Sequence, residues 1–272
     1  MSGCSTSPRE RGARVFELAA AQGWQPLVFQ TADFAIQAFV PGQRIATPQL
    51  NVYIEGDGLA WLDRHTPSFA PTPADPLALR LAMADASASA VYLARPCQYT
   101  LGPDFRNCQP RYWTSHRFAP EMVETMDQAL DQLLQAQGAR QLVLIGYSGG
   151  AAMAALLAAR RHDVVGLVTV AGVLDAQAWT KSQRLSALSG SLDPREVASR
   201  LTGLPQWHFV GGRDQTVPAA LLEGFLGAQQ PLTTTGTVAP SIHMERDFDH
   251  HCCWVKTWPE WSRTFAPTTS QY

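Results

Sequence analysis

Two periods of hydrophobicity take turns along this chain. The stretch ARVFELAAAQG has apolar residues at helical spacing and stops at Gly23. Two apolar runs then follow closely, PLVFQT and FAIQAFV, and predict an opening pair of strands. QLNVYIEGDG predicts a third strand running into a glycine loop. DPLALRLAMADAS predicts a helix with Asp75 as its cap, and SAVYLARP a fourth strand stopped by Pro96. The clearest amphipathic helix is APEMVETMDQALDQLLQAQG, with Met122, Met126, Leu130, Leu133 and Leu134 on one side. After it come a strand (QLVLIGYS), an alanine-rich helix from Ala151, a sixth strand (VVGLVTVAG) and a loop-and-helix stretch over 175–203. A seventh strand (PQWHFVGGRD), a helix (AALLEGFLG), an eighth strand near TVAPSIHMERDF and a final helix (CCWVKTWPEWSRTF) complete the order.

Strands alternating with helices predict an α/β protein with a mostly parallel eight-stranded sheet and helices on both faces. Continuous apolar strands such as LVLI and LVTV fit that reading, because a strand covered on both sides has no polar face. Composition changes this picture little. The chain has 272 residues, 46% of them hydrophobic and 16% charged, with a formal net charge of −2. No basic run points to nucleic acid, and no apolar stretch reaches the roughly 18–20 residues that span a bilayer. With no internal repeat, the expected organisation is a polar tether over 1–10 followed by one domain over 11–272, in which 175–203 forms a small cap.

The cysteines add one structural expectation. Cys97 and Cys108 bracket a loop that a disulfide could staple in an oxidising compartment, whereas Cys252 and Cys253 read as buried thiols. No cysteine or histidine spacing suits zinc, so neither a metal nor a cofactor is expected.

Ligands of open α/β sheets bind beyond the carboxyl ends of the strands. The residues just past those ends are therefore the candidates: the Gly56-Asp57-Gly58 loop after strand three, Ser148 after strand five, Asp214 after strand seven, and His250 and His251 after strand eight. Ser148 stands in Gly146-Tyr147-Ser148-Gly149-Gly150, and a serine there needs an adjacent base to become a nucleophile. His65, His116 and His162 read as loop or surface residues, and His208 and His243 lie within strands. Glu55 and Arg95 end neighbouring strands and are expected to pair as a salt bridge, with recognition of a substrate carboxylate by Arg95 as the rarer alternative.

At these residues the chain resembles the α/β-hydrolase superfamily. GYSGG resembles its nucleophile elbow, GGRDQTVP its acid loop and DFDHHCCW its histidine loop, in the chain order Ser, Asp, His. The resemblance implies a serine hydrolase, foremost a carboxylesterase on small or medium acyl esters. Ser148 would be the nucleophile, Asp214 the acid (with Asp175 as fallback) and His250 the base. His250 is preferred to His251 on a His-x-Cys-Cys-Trp likeness to a bacterial branch that includes lipoproteins. Gly149, with Gly56, Asp57 and Gly58, would form the oxyanion hole. A thioesterase, a peptidase, an acyltransferase or a catalytically silent envelope binding protein could carry the same scaffold. The expected partner is a small-molecule ester or thioester. Ser2-Gly3-Cys4 resembles the end of a bacterial lipoprotein signal, which implies a membrane tether on Cys4 and a place in the cell envelope, with the cytoplasm as the alternative.

Overall fold

The computed structural model describes residues 7–43, 47–229 and 239–265, so Cys4 lies outside the described residues. The strands are β1 (Trp24–Gln30), β2 (Ala35–Pro41), β3 (Gln49–Ile54), β4 (Ala90–Leu93), β5 (Gln141–Tyr147), β6 (Val164–Val170), β7 (Gln206–Gly211) and β8 (Ser241–Glu245). They form one open sheet in the order β1-β2-β4-β3-β5-β6-β7-β8. The pairs β1–β2 and β2–β4 are antiparallel, and every pair from β4 to β8 is parallel. Parallel neighbours need crossovers, and the helices supply them. These are α1 (Pro8–Ala21), α2 (Leu77–Ala84), α3 (Pro120–Gln137), α4 (Gly149–Ala158), α5 (Ala176–Ser182), α6 (Pro194–Val197), α7 (Leu221–Gly227) and α8 (Trp254–Trp261).

The sheet separates two apolar cores, and β5 shows how the sequence builds both. Leu142 and Leu144 point into the core shared with α3, α4 and α7, while Val143, Ile145 and Tyr147 point into the one shared with α1, α2 and α8. All are buried, as expected of a central strand. α4 carries five alanines among ten buried residues, so it lies close against the sheet. Trp254 and Trp258 on α8 are fully buried in the second core. Within 175–203 lie α5, α6 and a 3₁₀ turn over Ala198–Leu201, with Trp179 of α5 packed on Val173 and Val217.

Three local expectations are corrected. α1 begins at Pro8, inside the stretch read as a tether. Ser7 accepts from the Glu10 N–H at 3.2 Å while Glu10 accepts from the Ser7 N–H at 2.7 Å, a reciprocal cap with proline in the first turn. Arg11, one residue on, is buried and donates to the carbonyls of Thr72 and Ala70. Asp75 does not cap α2. Its carboxylate sits 3.1 Å from the Arg80 guanidinium, and the N-cap position falls to Pro76, which makes no side-chain bond. Cys252 and Cys253 are not buried thiols, because they are exposed and bonded to each other. Cys97 and Cys108 do form a disulfide, with a Cα–Cα distance of 5.7 Å.

Candidate active site

Ser148 follows β5 at φ 52° and ψ −120°, in the left-handed region that a residue with a Cβ avoids. Holding it there costs about 1–3 kcal/mol, so the surroundings must enforce the turn. Two glycines do this by close approach. A Cβ on Gly146 would lie 2.4 Å from the Ala151 backbone, and one on Gly150 would lie 2.3 Å from the Ile54 carbonyl oxygen. The turn presents the Ser148 hydroxyl while α4 starts immediately behind it.

His250 reaches that hydroxyl from beyond β8. Its Nε2 lies 3.0 Å from Ser148 Oγ, and its Nδ1 lies 2.8 Å from Asp214 Oδ2. Asp214 stands on the turn after β7 and is held in place, its Oδ1 accepting from the Thr216 and Val217 N–H groups at 2.8 Å each. The loop carrying His250 is fixed from several sides. Asp249 accepts from the His251 and Cys252 N–H groups, Trp254 Nε1 donates to the Asp249 carbonyl, and the Tyr147 hydroxyl donates to the His250 carbonyl at 3.2 Å. The expected residues Ser148, Asp214 and His250 thus meet, although they come from three different loops.

The alternatives go elsewhere. His251 is exposed, and its Nδ1 lies 3.1 Å from the Tyr147 hydroxyl rather than near Ser148 Oγ. Asp175 caps α5 through the Ala178 N–H at 2.8 Å and faces Arg195 at 3.4 Å.

Beside Ser148, the loop after β3 departs from expectation. Glu55 does not pair with Arg95. Its Oε1 accepts from the Gly56 N–H at 2.9 Å and its Oε2 from the Tyr92 hydroxyl at 3.2 Å. Burial pushes its carboxyl up to about 7, against the lowering effect of these hydrogen bonds. The partner of Arg95 is Asp57, at 2.9 Å, and Asp57 also pairs with Arg117. Burial alone would raise the Asp57 pKa, but the two guanidiniums outweigh it and hold the carboxyl below its ordinary range. The physical reason for the exchange of partners is reach: Glu55 turns back onto its own loop and onto Tyr92, leaving Asp57 to face both arginines.

Of the expected oxyanion donors, Gly56 has spent its N–H on Glu55. The N–H groups of Asp57, Gly58 and Gly149 make no hydrogen bond among the described residues. Gly149 is the first residue of α4, where a helix leaves its N–H groups unpaired and carries partial positive charge. Glu55, Asp57, Arg117, Ser148, Trp179 and His250 are among the residues around a pocket of about 460 Å³. Arg117, Tyr147 and Trp179 were not singled out from sequence. Arg117 lies in the irregular stretch before α3, where no periodicity marks it, and Trp179 looks like any apolar residue of a short helix.

No family model matches the chain, and no curated protein matches it. Solved structures do. An esterase of Pyrococcus furiosus aligns over 97% of this chain and 93% of that chain, with a TM-score of 0.61 and 10% identity. Est1E from Butyrivibrio proteoclasticus aligns over 88% of this chain and 96% of that one, with a TM-score of 0.59 and 12% identity. An acylaminoacyl peptidase of Pyrococcus horikoshii aligns over 92% of this chain but 43% of its own, with a TM-score of 0.60 and 12% identity. At such identities the likeness is one of fold. With its mostly parallel eight-stranded sheet, a serine on a strained turn after β5, an aspartate after β7 and a histidine after β8, the chain has the α/β-hydrolase fold.

Proposed function

We propose that the chain is a serine hydrolase acting on carboxylic esters of small or medium acyl groups through an acyl-enzyme. The observation that carries this reading is the continuous contact from Ser148 Oγ to His250 Nε2 (3.0 Å) and from His250 Nδ1 to Asp214 Oδ2 (2.8 Å), beside an open pocket. Ser148 Oγ attacks the acyl carbonyl as His250 Nε2 takes its proton. Asp214 keeps the Nδ1 proton in place and stabilises the imidazolium. The oxyanion is received by the N–H groups of Gly149 and Asp57, aided by the positive end of α4. His250 then gives its proton to the leaving alcohol, and a water activated by the same nitrogen releases the acid.

The named likenesses to an esterase and to a peptidase support cleavage of acyl bonds, and amide substrates are the second reading on the latter. Thioester cleavage and acyl transfer use the same groups. The Cys97–Cys108 disulfide supports a further proposal, an oxidising compartment such as the bacterial envelope.

The test is labelling with a fluorophosphonate, read by intact mass and peptide mapping, in the wild type and in Ser148→Ala. One adduct on Ser148, absent from the folded variant, is expected, along with ester turnover reduced on the order of 10⁶-fold. Folded protein with no adduct would remove the hydrolase reading and favour the silent binding protein. A matched ester and anilide pair then separates the two substrate readings.

A further inference from the structure

Asp57 has two arginine partners, and one carboxylate balances one positive charge. Arg95 Nη1 lies 2.9 Å from Asp57 Oδ1, and Arg117 Nη1 donates to Asp57 Oδ2. Both arginines are deeply buried, 5% and 6% exposed, so the excess charge is poorly screened by water. The two differ in what they face. Arg95 sits behind the loop, with Nη2 donating to the Arg117 carbonyl, and it does not line the pocket that holds Ser148. Arg117 lines that pocket. Its Nε donates to the Thr114 carbonyl at 2.8 Å, and its guanidinium lies 5.6 Å from the centre of the Trp179 ring. With Nε and Nη1 so engaged, Nη2 has no hydrogen-bond partner among the described residues, and it is not one of the fully buried unpartnered atoms.

The position relative to the nucleophile is also constrained. The Asp57 carboxylate comes within 2.3 Å of where a Cβ on Gly149 would stand. Arg117 is therefore one carboxylate away from Gly149, and it lines the same pocket as Ser148 and His250. Neighbouring carboxylates are already engaged: Glu55 with Gly56 and Tyr92, and Asp75 with Arg80 at the rim.

We propose that Arg117 forms an anion subsite, in which Nη2 binds a carboxylate or similar anionic group carried on the acyl part of the substrate a few bonds from the scissile carbonyl. The proposal rests on the serine hydrolase reading. It refines the substrate class to acid-bearing acyl esters, such as half-esters of short dicarboxylic acids. A guanidinium held at Nε by Thr114 and at Nη1 by Asp57 keeps a fixed direction, so the Nη2 N–H groups are preoriented charged donors. The Trp179 ring covers one face of the guanidinium.

The experiment compares 4-nitrophenyl hemiglutarate with 4-nitrophenyl pentanoate, which share leaving group and chain length and differ in the terminal carboxylate. Wild type is expected to favour the hemiglutarate in kcat/KM. Arg117→Gln should cut the ratio between the two esters about tenfold or more, the worth of one hydrogen bond between charged groups, and Arg117→Lys should restore part of it. Equal rates for the two esters in wild type, or a ratio unmoved by Arg117→Gln, overturns the proposal. If Arg117→Gln does not fold, Arg117→Lys decides: its ratio is expected to fall below that of wild type, and a ratio unmoved by it overturns the proposal. A preference that appears only when the carboxylate is on the alcohol part overturns the acyl placement. Failure of the hydrolase reading looks different: neither ester is turned over and Ser148 takes no fluorophosphonate.

Discussion

His208 on β7 and His250 beyond β8 make the same first contact. His208 Nδ1 lies 2.8 Å from Thr169 Oγ1, and His250 Nε2 lies 3.0 Å from Ser148 Oγ. The second nitrogen separates them. In His250 it meets Asp214 at 2.8 Å beside a pocket. In His208 it has no partner among the described residues, and the ring sits fully buried with its centroid 6.0 Å from that of Phe225. Burial alone drives the His208 pKa down to about 3, so this imidazole stays neutral at any ordinary pH. A histidine beside a hydroxyl is therefore not yet a base. The carboxylate behind it and a route to substrate make the difference.

The largest test of that comparison turns His250 toward the state of His208. Asp214→Asn keeps the shape but removes the negative charge and permits the wrong tautomer. It should lower kcat for a nitrophenyl ester by about 10⁴-fold with the fold intact by circular dichroism. A loss below tenfold would mean that Asp214 does not serve His250.

Next comes stability. His208 is neutral when folded and takes up a proton below about 6.5 when unfolded. The unfolded state then holds more protons, so wild type loses stability as pH falls from 6.5 toward 3, by about 3 kcal/mol at pH 4.5 from this group. His208→Asn should lack that loss while keeping neutral-pH turnover within a few-fold. Urea midpoints at pH 7 and 4.5 would show it, and an unchanged pH slope would refute the assignment.

Glu55 sharpens the contrast from the opposite sign. The same burial that lowers a base raises an acid, here to about 7, so the folded state is the one that holds the extra proton. Stability is then lost as pH rises, by about 2 kcal/mol between pH 5 and 7. Glu55→Gln, neutral throughout, should be more stable relative to wild type at pH 7 than at pH 5. Parallel stability curves for the two proteins would count against it.

Much of the frame was legible in advance. The apolar runs marked the inner strands, because a strand buried on both faces cannot hide its composition, while the edge strands β1 and β8 keep exposed positions and were marked by their place in the order; the position after each strand end pointed to Ser148, Asp214 and His250. The errors have local causes too. The cap at Ser7 and Glu10 is itself a four-residue pattern, masked here by the Ser/Thr/Pro-rich look of the N-terminus. Asp75 resembled a cap but had a charged partner five residues on.

Periodicity and the order of strand-end residues are properties read along the chain, and these the amino-acid sequence determined by itself. Partner choice was different. Asp57 meets Arg95 and Arg117, 38 and 60 residues away, and the Tyr147 hydroxyl reaches the His250 carbonyl across 103 residues. Such pairings leave no periodic trace, because they depend on side-chain reach and burial once the loops have converged at the sheet edge. Only the tertiary structure decided that Arg117, not Arg95, faces the pocket, and that Glu55 guards its own loop.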